Sequence, residues 1–393
     1  MISATRNRRQ FLRFLAASPL VARAWQQAPP AIASPKDALS VMDFEPAARK
    51  ALRPAHWGFL ATGVDDDATV KANLAGFQHY QLMPRRLVDV SKVDLRIELF
   101  ATVWSTPIFL CPVGGQRTFH EEGELAVARA AKAKDTLQIL ANVASFSLED
   151  VTHSLGRPPW YQLYMPSRWD ETERMIRRAE AAGCTVLVWT IDMFGGRNTE
   201  TSERFRRLDR AEECTACHQS PRGGGIYRPM FEGISSRTNP PVATWSYVDR
   251  LKKLTPMKLV LKGIETAEDA KLCRECGVDG VVVSNHGGRA TETGRATIDS
   301  LSAVVDAVGA RMPVLVDGGF RRGTDIYKAL ALGARAVGIG RPYIYGLSAF
   351  GQAGVERVLD ILREELQMVM KQCGTPTIAQ ITRASIARSG CTM

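Results

Sequence analysis

The run Val281-Val282-Val283-Ser284-Asn285-His286-Gly287-Gly288-Arg289 places a Ser, a His and an Arg in one loop behind an apolar, strand-like segment. An imidazole titrates near neutrality and serves as a general base, and a fixed guanidinium beside it binds an anion. Together they suit proton removal from an anionic substrate. Two more runs follow: Pro313-Val314-Leu315-Val316-Asp317-Gly318-Gly319, with Arg321 and Arg322 behind it, and Gly338-Ile339-Gly340-Arg341-Pro342. Each is a buried-strand pattern ending in glycines and arginines. Glycines let backbone N–H groups approach a phosphate, and Arg supplies charge. A base and then a phosphate cradle on successive strands is the order of a cofactor enzyme on a parallel barrel. Taken singly, His286 suits a plain turn, Asp192 a helix N-cap, Tyr164 barrel packing and Lys262 the surface. Their joint occurrence at strand ends favours chemistry.

The elements that must position these residues recur along the chain. Eight apolar runs, at 107–112, 137–141, 160–164, 185–191, 258–261, 280–284, 314–316 and 336–339, lack strict alternation. That is the pattern of parallel strands covered on both faces. Segments 122–133, 171–182, 267–276, 298–308 and 323–332 carry apolar residues at helical spacing. The alternation predicts an α/β chain forming a single (β/α)8 TIM barrel over residues 43–386. Residues 43–100 are expected to form an N-terminal helical cap. A closing helix is expected over 349–374, a short helix to 386 and a tail over 387–393. One connection, 193–256, is far longer than the rest. Long connections are usually functional lids or disordered.

The Ser-Asn-His-Gly-Gly-Arg run, followed by the Asp-Gly-Gly and Gly-Arg-Pro runs, resembles the FMN-dependent α-hydroxy acid dehydrogenases and oxidases. Glycolate oxidase, lactate and mandelate dehydrogenases and flavocytochrome b2 belong to that family. The resemblance spans residues 56–386. It implies His286 as general base, with Asp192 orienting its ring. It implies Arg289 and Arg197 as a clamp on the substrate carboxylate, and Tyr164 as a hydrogen-bond partner of the substrate hydroxyl. Lys262, after the apolar run Leu259-Val260-Leu261, is implied beside the flavin, where a fixed cation offsets negative charge. FMN contacts carry over to Pro112, Val113, Gly114, Gln162, Thr190 and Ser284, and its ribityl and phosphate to Asp317, Gly318, Gly319, Arg321, Gly340 and Arg341. Relatives are often tetramers, which implies a homo-oligomer. An isopentenyl isomerase-type flavin barrel shares the phosphate motifs but does not need His286 with Arg289.

Departures from the family concern substrate and acceptor. Phe59 stands where a substrate tyrosine is expected, which removes a hydrogen bond worth about 1–3 kcal/mol if uncompensated. Pro112-Val113-Gly114 replaces Pro-Thr-Ala, and Ala141 replaces a hydroxy residue. The reaction expected is oxidation of an L-2-hydroxy acid to the 2-oxo acid, with electrons passed to a cytochrome or quinone. The alternatives are an oxidase that makes hydrogen peroxide and a barrel that carries electrons or ligands without turnover.

Composition agrees with a globular enzyme: 393 residues, 45% hydrophobic and 23% charged. The net charge is +10, and about half of it lies in residues 1–24, which hold Arg6, Arg8, Arg9, Arg13 and Arg23 and no acid. No basic run interleaved with aromatics suggests a nucleic-acid groove. The segment Asn7-Arg8-Arg9-Gln10-Phe11-Leu12-Arg13, the apolar stretch 14–22 and Ala22-Arg23-Ala24 resemble a twin-arginine export signal. The stretch is too short to span a bilayer. An amphipathic helix or a basic tail would fit the same residues. Export of a folded flavoprotein to a bacterial periplasm is the expectation, with residues 25–42 as a linker. Eight cysteines include Cys214-Thr215-Ala216-Cys217-His218, the sequence of c-type haem attachment. Haem, a disulfide or free thiols, and a metal site remain alternatives there. A haem would hand electrons on to a periplasmic cytochrome.

Overall fold

The apolar runs fold as their composition demands, because a strand covered by the barrel interior on one face and by helices on the other must be hydrophobic on both. The computed structural model describes residues 32–209 and 227–389. Eight strands form the barrel: β1 (Ile108–Leu110), β2 (Leu137–Ala141), β3 (Trp160–Leu163), β4 (Val186–Thr190), β5 (Lys258–Ile264), β6 (Gly280–Val283), β7 (Val314–Asp317) and β8 (Ala336–Ile339). Each pairs in parallel with the next, and β8 pairs with β1, so the sheet is closed. All eight expected runs are present, and β5 extends past its expected end through an irregularity between Lys262 and Ile264.

Helices α1 (Phe44–Ala51), α2 (Pro54–Ala61) and α3 (Ala68–Ala75) precede the barrel. Outside it run α4 (Gly123–Ala133), α5 (Leu148–Leu155), α6 (Trp169–Ala181), α7 (Glu200–Arg206), α8 (Ser246–Leu254), α9 (Ala267–Glu275), α10 (Thr297–Val308), α11 (Gly323–Ala331) and α12 (Arg341–Cys373). Inward residues alternate with helix-facing ones. Phe109, Ile139, Trp160, Val188, Val260, Val282, Leu315 and Ala336 form the barrel interior. Their neighbours Leu110, Leu140, Tyr161, Leu187, Leu261, Val283 and Val316 pack against the helices.

Several expectations need correction. The segment 43–100 is not helical throughout: Tyr80–Leu82 pairs antiparallel with Ile386–Arg388. Ile97–Leu99 forms a hairpin with Thr102–Trp104 and sends Ile97, Leu99 and Trp104 into the interior cluster at the N-terminal end of β1. The short helix expected before residue 386 is two 3-10 turns, Ile378–Gln380 and Arg383–Ser385. The pairing of Tyr80–Leu82 with Ile386–Arg388 joins residues some three hundred positions apart, which local periodicity does not report. The closing helix starts at Arg341, and a break at Phe350 and Gly351 explains the expected start at 349. Residues 32–42, placed in a linker, include two 3-10 turns, and Ala38 and Val41 are buried.

The connection from β4 to β5 is long, as expected, and contains α7 and α8. Its first part docks on α2: Phe205 lies against Gly58, and Arg53 pairs with Asp209 at 2.5 Å. The Cys214-Cys217-His218 run lies outside the described residues, as do the Arg8-Arg9 head and positions 390–393. No helix among the described residues is long and apolar enough to cross a membrane.

Candidate active site

Period-two alternation carries each strand one step beyond the apolar interior, and there the inward residues turn polar. Thr190, Lys262, Ser284 and Asp317 stand two positions after Val188, Val260, Val282 and Leu315, and Ala141 two after Ile139. This layer lies at the C-terminal strand ends, where barrel sites assemble. Lys262 Nζ donates to Ser284 Oγ at 2.7 Å and pairs with Asp317 Oδ2 at 3.3 Å. Ser284 Oγ donates to Asp317 Oδ1 at 2.6 Å. Burial lowers the Lys262 ammonium, but the Asp317 carboxylate, and Asp192 after it, more than reverse this and raise it above its ordinary value. Gln162 Nε2 donates to Thr190 Oγ1 at 2.9 Å, while Gln162 Oε1 is buried with no partner.

The base loop stands above this layer. His286 adopts φ +59°, a left-handed conformation that is uncommon for a non-glycine residue. Its turn is pinned by Asn285, whose side chain exchanges hydrogen bonds with buried Asn73 at 2.8 and 3.0 Å. His286 Nδ1 lies 2.9 Å from Asp192 Oδ1, and Nε2 lies 3.1 Å from the Tyr164 hydroxyl. A carboxylate only accepts, so Nδ1 carries a hydrogen, and in the neutral ring the Nε2 lone pair faces the Tyr164 hydroxyl. Burial pushes the Asp192 carboxyl up, but the charge and hydrogen bond of His286 outweigh it and leave Asp192 below its ordinary value. Burial, then Asp192, pushes the Tyr164 phenol up to about 12, so it stays a donor.

Arginines define the mouth. Arg289 Nη1 donates to the carbonyls of Phe59 (2.5 Å) and Thr62 (2.8 Å) at the end of α2, and its guanidinium lies 4.6 Å from the centre of the Phe59 ring. Arg341 donates to Leu60, Thr62 and Gly287 carbonyls at 3.0, 2.9 and 2.8 Å. Arg197 is exposed and reaches the Arg289 carbonyl at 3.4 Å. Burial, then repulsion from Arg341 and Arg197, lowers the Arg289 guanidinium to about 9. Cations crowded with no carboxylate partner among the described residues suit an anion.

The end expected from the sequence to hold a phosphate lies at β7 and β8. Gly318 and Gly319 hold φ +106° and +86°, conformations that favour glycine. A Cβ on Gly318 would come 2.7 Å from Thr297 Oγ1. A Cβ on Gly340, at the N-terminus of α12, would meet nothing within 4 Å. Arg321 Nη1 donates to Phe320 O at 3.0 Å, whereas its Nε is buried with no partner. Arg341 begins α12, and its guanidinium, expected at this end, is engaged at the mouth instead. Pro112, Val113 and Gly114 follow β1, and Gly114 lies against Val143 of the next loop.

The family model described as FMN-dependent dehydrogenase matches residues 48–388. The chain belongs to the FMN-dependent dehydrogenase family. It is 39% identical to a peroxisomal (S)-2-hydroxy-acid oxidase of Oryza sativa subsp. japonica over 90% of this chain and 96% of that one. It is 36% identical to an L-lactate oxidase of Lysinibacillus sphaericus over 88% and 92%. A solved mandelate oxidase variant with (S)-mandelic acid superposes with a TM-score of 0.80 at 34% identity, covering 91% of this chain and all of that one. The residues of this chain fit FMN. An orphaned acceptor at Gln162 and a buried cation at Lys262 suit the polar rim of a flavin ring. An orphaned Arg321 donor, open space at Gly340 and a free helix N-terminus suit its phosphate.

Four polar side chains of this site were not singled out in the sequence. Asn73 and Cys111 carry no local signal, and Glu265 follows Lys262 as an ordinary loop acid. Burial, then Asp192, pushes Glu265 up to about 7. Glu124, buried near the start of α4, accepts from the Gln116 and Ser145 amides at 2.9 Å each and so ties the loops after β1 and β2. Burial pushes its carboxyl up to about 7, against those hydrogen bonds. Between its ordinary 4.5 and about 7 the unfolded chain releases this proton while the folded chain keeps it. Its contribution to stability is therefore full below that window and falls as pH rises through it. Glu124→Gln keeps the acceptor and cannot titrate. Relative to wild type, its Tm should improve from pH 5 to pH 7.5, read by thermal melts; parallel curves would refute this role.

Proposed function

We propose that this chain oxidises a lactate-like L-2-hydroxy acid to the 2-oxo acid and passes the electrons to a cytochrome or quinone. The observation that carries the reaction is the His286 imidazole, tied through Nδ1 to Asp192 with Nε2 facing Tyr164, in the loop that also bears Arg289. Arg289 and Arg197 hold the substrate carboxylate. Tyr164 donates to the substrate oxygen. His286 takes a substrate proton at Nε2, and Asp192 stabilises the imidazolium. FMN, when bound, supplies the acceptor for the two electrons. Lys262 keeps a positive charge beneath that seat.

The acceptor is inferred from Cys214-Thr215-Ala216-Cys217-His218 and from the Arg8-Arg9 head, which fits a periplasmic enzyme exported by a twin-arginine signal. A second reading, an oxidase, is favoured by the relatives above, a 2-hydroxy-acid oxidase, an L-lactate oxidase and a mandelate oxidase. A barrel without turnover is disfavoured by the retained His286, Arg289 and Lys262. The deciding experiment follows L-lactate turnover in air with and without a quinone or cytochrome c. Acceptor reduction with peroxide in only a small fraction of turnovers supports the dehydrogenase. Stoichiometric peroxide replaces it with the oxidase.

A further inference from the structure

One polar side chain under the cofactor seat has no part in the chemistry above. Cys111 follows β1 and is 8% exposed. Its position is fixed on both sides: Cys111 N donates to Ile339 O at 3.0 Å, and Cys111 O accepts from the Tyr343 hydroxyl at 2.8 Å. Its Sγ donates to Asp317 Oδ2 at 3.6 Å, although β8 lies between β1 and β7 in the barrel. The contact exists because the intervening inward residue is Gly338. A Cβ there would stand 2.6 Å from the Cys111 sulfur, so any other residue would close the gap.

We propose that Cys111 is a positioning residue for the cofactor's cation, its S–H reaching across Gly338 to share Asp317 Oδ2 with Lys262 and so setting how much of the lysine's charge remains for FMN. This rests on the reading that FMN sits above Lys262. Asp317 accepts from Ser284 on one oxygen, while its other oxygen accepts from Cys111 and forms the ion pair with Lys262. The thiol draws off part of the charge on the shared oxygen. Without it that oxygen turns wholly to Lys262, and the floor of the seat becomes less positive. Burial, then the Asp317 carboxylate, holds the thiol far above its usual range, so it remains a neutral donor.

The test is the two-electron midpoint potential of bound FMN, by anaerobic dye equilibration, in wild-type, Cys111→Ala and Cys111→Ser holoenzymes. Cys111→Ala should lower the equilibrium constant for reduction about tenfold, which is about 30 mV. Cys111→Ser keeps a donor on the same carbon and should fall between the two; it also serves if the alanine variant does not fold. A thiol that only fills space would alter Tm without moving the potential. An unchanged or raised potential in the folded variants overturns the inference while the FMN seat stands. Wild-type protein that binds no FMN overturns both.

Discussion

His286→Ala should keep FMN bound and reduce it with L-2-hydroxy acids more than about a hundredfold more slowly. Among the described residues at the mouth, the His286 imidazole can offer a ring nitrogen to the substrate with a carboxylate behind it. Tyr164 is held protonated, and Arg289 and Arg197 serve as cations. Removing the ring also leaves Asp192 buried without its partner at Oδ1, and its Oδ2 already has none. Loss of the ring's charge and hydrogen bond pushes that carboxyl up. It lies behind the ring, so it does not replace the base, and raising the pH should not restore the rate. Stopped-flow bleaching of the flavin under anaerobic conditions measures this. Bleaching within tenfold of wild type would remove His286 from the mechanism.

Lys262→Met should fail more broadly. The lysine and Asp317 are both almost wholly buried and pair at 3.3 Å. Deleting one partner of such a pair leaves a buried charge and costs about 3–5 kcal/mol. FMN reduction should also fall, because the cation beneath the seat is gone. A second substitution separates these effects. Lys262→Met with Asp317→Asn removes the stranded charge and should recover most of the stability, read by denaturant unfolding, while reduction remains impaired. Recovery of reduction in the double variant would show that Lys262 serves the fold alone.

Much of this was legible in the sequence because a barrel is built from local units. Each apolar run is a strand whose end points at the mouth, so Tyr164, Asp192, Lys262 and His286 could be assigned to one face without knowing their partners. The family resemblance supplied roles that spacing alone does not give. Helix α5 was missed although Leu148, Val151 and Leu155 are its buried residues; with eight residues it is shorter than a periodicity window. What stayed invisible depends on distant partners. Asn73 meets Asn285 from a separate helix, Glu124 ties amides of two loops, and Cys111 reaches Asp317 only because Gly338 lacks a side chain. Phe59 was legible as a departure, but its role as a surface for the Arg289 guanidinium was not.

The most direct measurement mixes the yellow holoenzyme anaerobically with paired L- and D-2-hydroxy acids and follows flavin absorbance and products. L-enantiomers should bleach the flavin and release one 2-oxo acid per FMN, while D-enantiomers should leave it oxidised. A flavin that stays oxidised with every L-2-hydroxy acid, or bleaches equally with both hands, would contradict the proposed function.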